Sequence, residues 1–315
     1  MLFFLSTLLG GMYVGWNIGA NDTANCMGTS VGSGLIPYKK AVLLVAVFVI
    51  IGASLQGHYV MKTIGKGIVT ERLSNLAVII ALLSAGGFVT LATYLKLPVS
   101  TSQAIVGGIT GVGFGFGANV DLTKLASIVG CWVISPILTI SMSYALCYLL
   151  ALPTRWIKRI RVWERVIGIF LICTICYLAY SLGANHAGNA MGPIANLGMI
   201  DTRWLVIGGG LSIAFGALTY GRRVSETVGK SITLLHPISA CAAQLSAAIA
   251  IHLFSVLGIP VSTSQAIVGA VIGVGLVKGI RTVNKKMVAR IVIGWIATPT
   301  VVGLVSFSLY KFLTL

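Results

Sequence analysis

Apolar residues run along this chain in stretches of about 20, separated by short polar or basic joints. The stretches fall near 2–35, 41–60, 76–95, 99–118, 125–152, 166–184, 204–220, 232–257, 261–277 and 291–312. Such a length suits a helix crossing a hydrocarbon core of about 30 Å. Ten-residue segments of alternating polarity, as a membrane barrel would need, are absent from the pattern. The pattern therefore predicts an all-α polytopic membrane protein with no room for a soluble domain.

The pattern also repeats. Gly19–Gly28, reading GANDTANCMG, aligns with Gly183–Gly192, reading GANHAGNAMG. Lys62–Ile68 aligns with Glu226–Ile232, and Pro98–Gly107 and Pro260–Gly269 both read PVSTSQAIVG. Three matches in one order divide the chain into an N-terminal repeat, 1–154, a basic linker, 155–165, and a C-terminal repeat, 166–315. Five apolar stretches in each half make an odd number of crossings, so the halves have opposite topology. If the stretches flanking each ten-residue block re-enter as a hairpin instead of crossing, each half loses two crossings and the inversion stands. Inverted-topology repeats are a recurrent plan of secondary transporters.

Polar residues interrupt the apolar runs at two kinds of place. Asn, Asp, Thr and Gly within Gly19–Gly28 are poor helix interior, so a broken helix is expected there and at Gly183–Gly192. Freed backbone groups in a membrane need a cavity or protein partners. The carbonyls and side-chain oxygens there suit a hard cation such as Na⁺, and freed N–H groups suit an anion. At the other place, Pro98 and Pro260 end the preceding helix. Ser100 and Ser262 are good N-caps for the next one. Hydroxyls and helix N-termini then point into one space, where the helix dipole favours an oxyanion. The alternative is that these small residues only let helices pack closely.

Charge refines the orientation. The 315 residues carry a net charge of +16 and a mean hydropathy of +0.98. The cations sit in short loops, which points to membrane topology and excludes a nucleic-acid role. With the basic linker cytoplasmic, the loops holding Lys39, Lys40, Arg222, Arg223, Lys230, Lys278, Arg281, Lys285 and Lys286 also face inside. Lys62, Lys66, Arg72 and Lys124 then face outside, against the usual bias. Residues 1–30 lack the basic start of a signal peptide.

Asp22 alone among the acidic residues lies within an interrupted apolar run, where an ionisable group is usually functional. Glu226 is expected to pair with Arg222 and Arg223 at a cytoplasmic helix end. His186 stands where the other half has Asp22, and could pair with an anion, carry a proton or bond across a cavity. His58, His236 and His252 read as structural. Cys173 and Cys176 have redox spacing but lie in an apolar helix, so they read as packing residues with the other four cysteines.

These motifs resemble the inorganic phosphate transporter family, the PiT type of anion permease. The signature Gly19–Asn25 is complete, both ten-residue blocks match the family's hairpin tips, and Gly221–Gly229 looks like its second-half loop. The resemblance covers essentially the whole chain. It implies a multi-pass cell-membrane symporter, often a homodimer, that imports inorganic phosphate with Na⁺ or H⁺ by alternating access and needs no cofactor. Phosphate would lie between the tips, at Ser100, Thr101, Ser102 and Gln103 and at Ser262, Thr263, Ser264 and Gln265. The broken-helix residues Asn21, Asp22, Asn25, Asn185, His186 and Asn189 would hold coupling cations or substrate, with Asn21, Asp22 and Asn185 the candidate Na⁺ ligands. His186 replaces the family's second Asp, Gly188 its usual Ala, and Gln103 and Gln265 its common His. Sulfate transport is the alternative within the family. A membrane enzyme would need clustered acid–base or metal-binding groups, and a channel would draw its symmetry from several subunits.

Overall fold

The computed structural model describes residues 2–95, 99–154, 156–231, 236–277 and 285–314. Pro98, Arg155, Lys278 and Arg281 lie outside the described residues, as do the side chains of Arg223, Glu226, Lys230, Lys285 and Lys286. Each apolar stretch is one helix: α1 Leu2–Gly32, α2 Tyr38–Lys62, α3 Asn75–Tyr94, α4 Thr101–Phe116, α5 Leu122–Thr154, α6 Ile160–Asn196, α7 Thr202–Ser231, α8 Pro237–Val256, α9 Thr263–Val277 and α10 Lys285–Thr314. A π-helical turn, Thr63–Gly67, extends α2. Among the described residues, seven helices are long and apolar enough to cross a bilayer.

Local chemistry sets the boundaries. Ser74 caps α3 by accepting from Ala77 N at 3.2 Å. Asp121 caps α5 by accepting from Lys124 N at 2.8 Å. Gly117, with φ of 80°, closes α4 in the left-handed region open to glycine. Arg161 and Arg165, assigned to the linker, are already in the first turns of α6. The basic segment continues the helix because a helix can extend past the hydrocarbon and hold its charges in water.

The core is a four-helix group drawn from both halves. α1 packs along α7, and α2 along α6. Glycines set both crossings. A methyl at Gly19 would lie 2.8 Å from Ala217 N, and one at Gly216 would lie 3.0 Å from Ala20 N. At the other crossing a methyl at Gly183 would lie 2.9 Å from Ala53 N, and one at Gly52 would lie 3.0 Å from Tyr180 Cα. Small residues let membrane helices approach this closely.

This contact corrects one expectation. α1 and α6 run unbroken through Gly19–Gly28 and Gly183–Gly192. The glycines serve close packing rather than a break, and the polar side chains are met by neighbouring elements. Thr23 also donates its hydroxyl to Gly19 O within the helix.

Two helical hairpins, α3–α4 and α8–α9, pack beside this core. Each is covered by a helix distant in the chain: α10 lies on α4, and α5 lies on α9 and α8. The contacts match. A methyl at Gly107 would lie 2.8 Å from Pro299 Cα, and one at Gly269 would lie 2.9 Å from Pro136 Cα. A bridge between Val69 and Val120, with Asp121 N donating to Ile68 O at 2.9 Å, joins the outer ends of α3 and α4.

Burial follows this order. α8 is largely buried, whereas Val292–Thr314 of α10 is largely exposed. Exposed Val133, Ile137, Leu149, Ile296, Leu304 and Phe312 give α5 and α10 apolar outer faces. That surface fits lipid as its solvent.

Candidate functional site

The tips of the two hairpins meet each other and the middle of α1 and α6. Ser102 donates its hydroxyl to Val261 O at 2.8 Å, and Ser264 donates to Val99 O at 3.1 Å. The same serine of each ten-residue block thus holds the same valine carbonyl of the other. The expected caps are present: Ser100 accepts from Gln103 N at 3.3 Å, and Ser262 accepts from Gln265 N at 3.2 Å. Both helices therefore begin at the meeting point, with their positive dipole ends turned to it.

α1 and α6 supply the polar floor. Thr101 donates to Asp22 Oδ2 at 2.6 Å, while His186 Nε2 lies 2.5 Å from Thr263 Oγ1. Asn189 Nδ2 donates to Ser102 Oγ at 2.7 Å and reaches His186 Nδ1 at 3.1 Å. His186 Nδ1 also lies 3.4 Å from Thr101 Oγ1 and 3.9 Å from Asp22 Oδ2. All these side chains are buried.

Counting protons assigns the imidazole. The Ser102 proton is used on Val261 O, so Asn189 must donate to Ser102. The amide nitrogen only donates, so the other contact makes His186 Nδ1 an acceptor. The ring proton then sits on Nε2 and is given to Thr263. The hydroxyl proton of Thr263 stays available to a ligand.

Two acceptors are left over. Asp22 Oδ1 and Asn189 Oδ1 are buried and, among the described residues, accept nothing. A bare carboxylate oxygen inside a membrane protein is costly until a cation or donor meets it. The leftover atoms are hard oxygens, and no cluster of three His, Cys, Asp or Glu exists among the described residues. That donor set fits an alkali cation or a protonated oxyanion better than a transition metal.

The other expected residues fall in three places. Asn21 donates to Thr93 at 2.8 Å. Asn185 donates to Ser255 at 3.0 Å and Ile259 O at 3.3 Å, and accepts from Val261 N at 3.3 Å. These two asparagines hold the hairpin tips against α1 and α6. Asn25 is buried one turn beyond Asn21, outside this hydrogen-bond network. Gln103 and Gln265 point away, into an apolar groove of about 1010 Å³ with Trp132, Pro136, Trp295 and Pro299. Residues two apart on a helix face opposite ways, so Thr101 and Gln103 cannot share one site.

The structure adds residues that motif reading passed over. Thr93 and Ser255 receive the two asparagines, and their separation equals that between the ten-residue blocks, a signal the internal alignment contained. Gln244 of α8 accepts from Ser30 and Thr174, both at 2.8 Å, and donates to Cys26 O and Thr29 Oγ1, both at 2.9 Å. It ties α1, α6 and α8 together beside Asp22. Two further histidines are structural in placement: His252 lies 2.8 Å from the Tyr177 hydroxyl, and the His236 ring lies tilted 5.5 Å from that of Trp163. All six cysteines are free.

Comparison with known proteins gives concordant matches. A family profile described as the phosphate transporter family matches residues 18–163 and 153–306. A protein of Pyrococcus abyssi, provisionally named a phosphate permease, is 35% identical over 99% of this chain and 98% of its own. Inorganic phosphate transporter 2-1, chloroplastic, of Arabidopsis thaliana is 30% identical over 94% of this chain and 70% of its own. The solved structure of a sodium-dependent phosphate transporter superposes with a TM-score of 0.89 at 28% identity, covering 100% of this chain and 99% of that one.

Proposed function

The chain belongs to the phosphate transporter family, and from that premise we propose that it imports inorganic phosphate across the cell membrane, coupled to sodium, by alternating access. It is a transporter, not an enzyme.

One observation carries the coupling: Asp22 is buried with Oδ1 bare, where both hairpin tips meet. Phosphate carries one to two negative charges near neutral pH. Importing it against 100 mV, inside negative, costs roughly 2–5 kcal/mol before any gradient. A co-transported cation offsets that cost. Asp22 Oδ1 and Asn189 Oδ1 are the groups that would receive it. Asn21 and Asn185 are better read as tip holders, because their amides already bond the hairpins.

Thr263, whose hydroxyl proton is free, and the N-termini of α4 and α9 form the phosphate end of the site, beside Thr101, Ser102 and Ser264, whose protons are held by Asp22, Val261 O and Val99 O. Hydroxyl and backbone donors bind an oxyanion without a fixed countercharge. A protonated phosphate also brings a donor, which Asp22 can accept and which sulfate lacks near neutral pH.

The inverted repeat belongs to the same proposal. Its support is the matched contacts: Ser102 with Ser264, Asn21–Thr93 with Asn185–Ser255, and Gly107–Pro299 with Gly269–Pro136. We read α3–α4 and α8–α9 as re-entrant hairpins entering from opposite sides. α4 has 16 residues and α9 has 15, each shorter than a full crossing needs.

The test is uptake of labelled phosphate into proteoliposomes under an inward Na⁺ gradient, an inward H⁺ gradient or neither, with excess sulfate as competitor. Accumulation only with Na⁺, unaffected by sulfate, supports the proposal. Entry of labelled sulfate instead, or accumulation with no cation gradient, defeats it.

A further inference from the structure

Lys62, Lys66, Arg72 and Lys124 break the charge bias on the face opposite the basic linker, and the site described above uses none of them. In the fold they converge. Asn196, at the end of α6, frames the π turn: Nδ2 donates to Gly65 O at 2.6 Å and Glu71 O at 3.2 Å, and Oδ1 accepts from Leu73 N at 2.8 Å. Arg72 reaches across and donates to Leu197 O. Lys124 lies beside the same turn, near Gly67.

Two adjoining hollows result. One, of about 260 Å³, is lined by Lys66, Thr70, Arg72 and Asn196. The other, of about 990 Å³, shares Lys66 and adds His58, Lys62, Asp201 and Arg203. Asp201 is the single carboxylate in either lining, and its Oδ1 already accepts from Arg203 N at 2.8 Å. Nearby Glu71 accepts from Asn119 N at 3.2 Å. Lys62, Lys66 and Arg203 are exposed, and among the described residues none reaches a carboxylate at salt-bridge distance.

We propose that this hollow is a second anion site, which collects inorganic phosphate at the outer mouth before it reaches the hairpin tips. The outer placement rests on the orientation and import direction proposed above; the anion site itself does not. Unpaired cations around a concave, partly apolar wall focus the field and concentrate counter-ions. Such steering raises encounter rates by about 10- to 10³-fold and fades with ionic strength. The π turn places Lys66 in both hollows, and π turns recur at functional sites. Cations on the disfavoured side of a membrane protein gain a purpose if the ligand is an anion. A lipid headgroup offers the same phosphate chemistry, so the experiment separates the two sources.

Lys66→Cys and, separately, Arg203→Cys are made in a chain whose exposed Cys173 is replaced by Ser, and placed in phosphatidylcholine nanodiscs. The rates of modification by small anionic and cationic thiosulfonates are compared, each normalised to a free thiol. The expected result is an anion-over-cation preference of about tenfold or more at low salt. It should collapse toward one in high salt, fall when Lys62→Gln is added, and weaken as millimolar inorganic phosphate protects the thiol. A ratio near one at low salt in both variants overturns the proposal. So does protection by phosphatidylglycerol with none from inorganic phosphate, which would make this a headgroup site. The readout requires no transport, so a chain that fails to move phosphate would still report on this hollow.

Discussion

Thr101 donates its hydroxyl proton to Asp22 Oδ2 across 2.6 Å, while Oδ1 of the same carboxylate accepts nothing among the described residues. One oxygen therefore secures the first hairpin tip, and the other is free for a passenger. Asp22→Asn keeps an acceptor for Thr101 and removes the charge. The expected outcome is an intact fold, with a thermal midpoint within a few degrees, and at least a tenfold loss of Na⁺-driven phosphate uptake, about 1.4 kcal/mol. Uptake that retains its Na⁺ dependence would remove Asp22 from coupling.

The two tip serines are reciprocal but not equal. Among the described residues the Ser264 hydroxyl bonds only Val99 O, whereas that of Ser102 bonds Val261 O and also accepts from Asn189. Ser264→Ala should cost about 1 kcal/mol of stability. Ser102→Ala should cost about twice that, since it also strands a buried amide donor. Both should raise the KM for phosphate. Thermal unfolding in detergent with uptake kinetics checks the order, and an equal cost would contradict the geometry.

Gln103 and Gln265 face the apolar groove, away from Asp22. Replacing either by Leu should leave the phosphate KM within about twofold, since neither amide reaches the cluster. Each Oε1 is buried and bare, so little stability should be lost. Gln244→Leu is the contrast. It strips a partner from Ser30, Thr29 and the Cys26 carbonyl, while Thr174 keeps its bond to Leu171 O, and each buried group left unpaired costs about 1–3 kcal/mol. A Gln244→Leu protein as stable as its parent would mean water replaces the amide.

Glycine substitutions should divide by position. Gly19→Ala and Gly183→Ala put a methyl into the backbone of a neighbouring helix and should destabilise by about 1–3 kcal/mol. Gly87 in α3 has open space where a methyl would go, and Gly87→Ala should gain about 0.5–1 kcal/mol. Thermal scans of the three proteins decide it.

Much of this architecture was legible before the fold was known. Ten apolar runs became ten helices because lipid leaves the backbone few options other than helix. Ser100 and Ser262 announced their capping because a serine at a helix start has a local preference that tertiary contacts did not override. The unbroken course of α1 and α6 was not legible. Gly-Ala-Asn-Asp reads as a breaker in isolation, yet here Gly19 is a contact with Ala217 and Asn21 is met by Thr93. Those partners lie far away in the chain, and composition does not name them. Gln103 was misplaced for a related reason. Its identity suits a binding site, but its register, two residues after Thr101, turns it to the opposite face. His186 could be singled out as a departure, but the atom that holds its proton emerged only from counting donors around Ser102 and Asn189.

The crossed cover of the hairpins has a consequence for how the chain is made. α3 and α4 emerge early, yet the helix that lies on them, α10, is made only after α5 through α9. Until then the first hairpin must sit in the membrane with lipid, or a helper protein, against the flank that Pro299 later occupies. α5 waits in the same way for α8 and α9. Neither hairpin can be completed without a helix distant in the chain, so the packed helices are a single unit of assembly, and α10 acts as a clasp on the first hairpin.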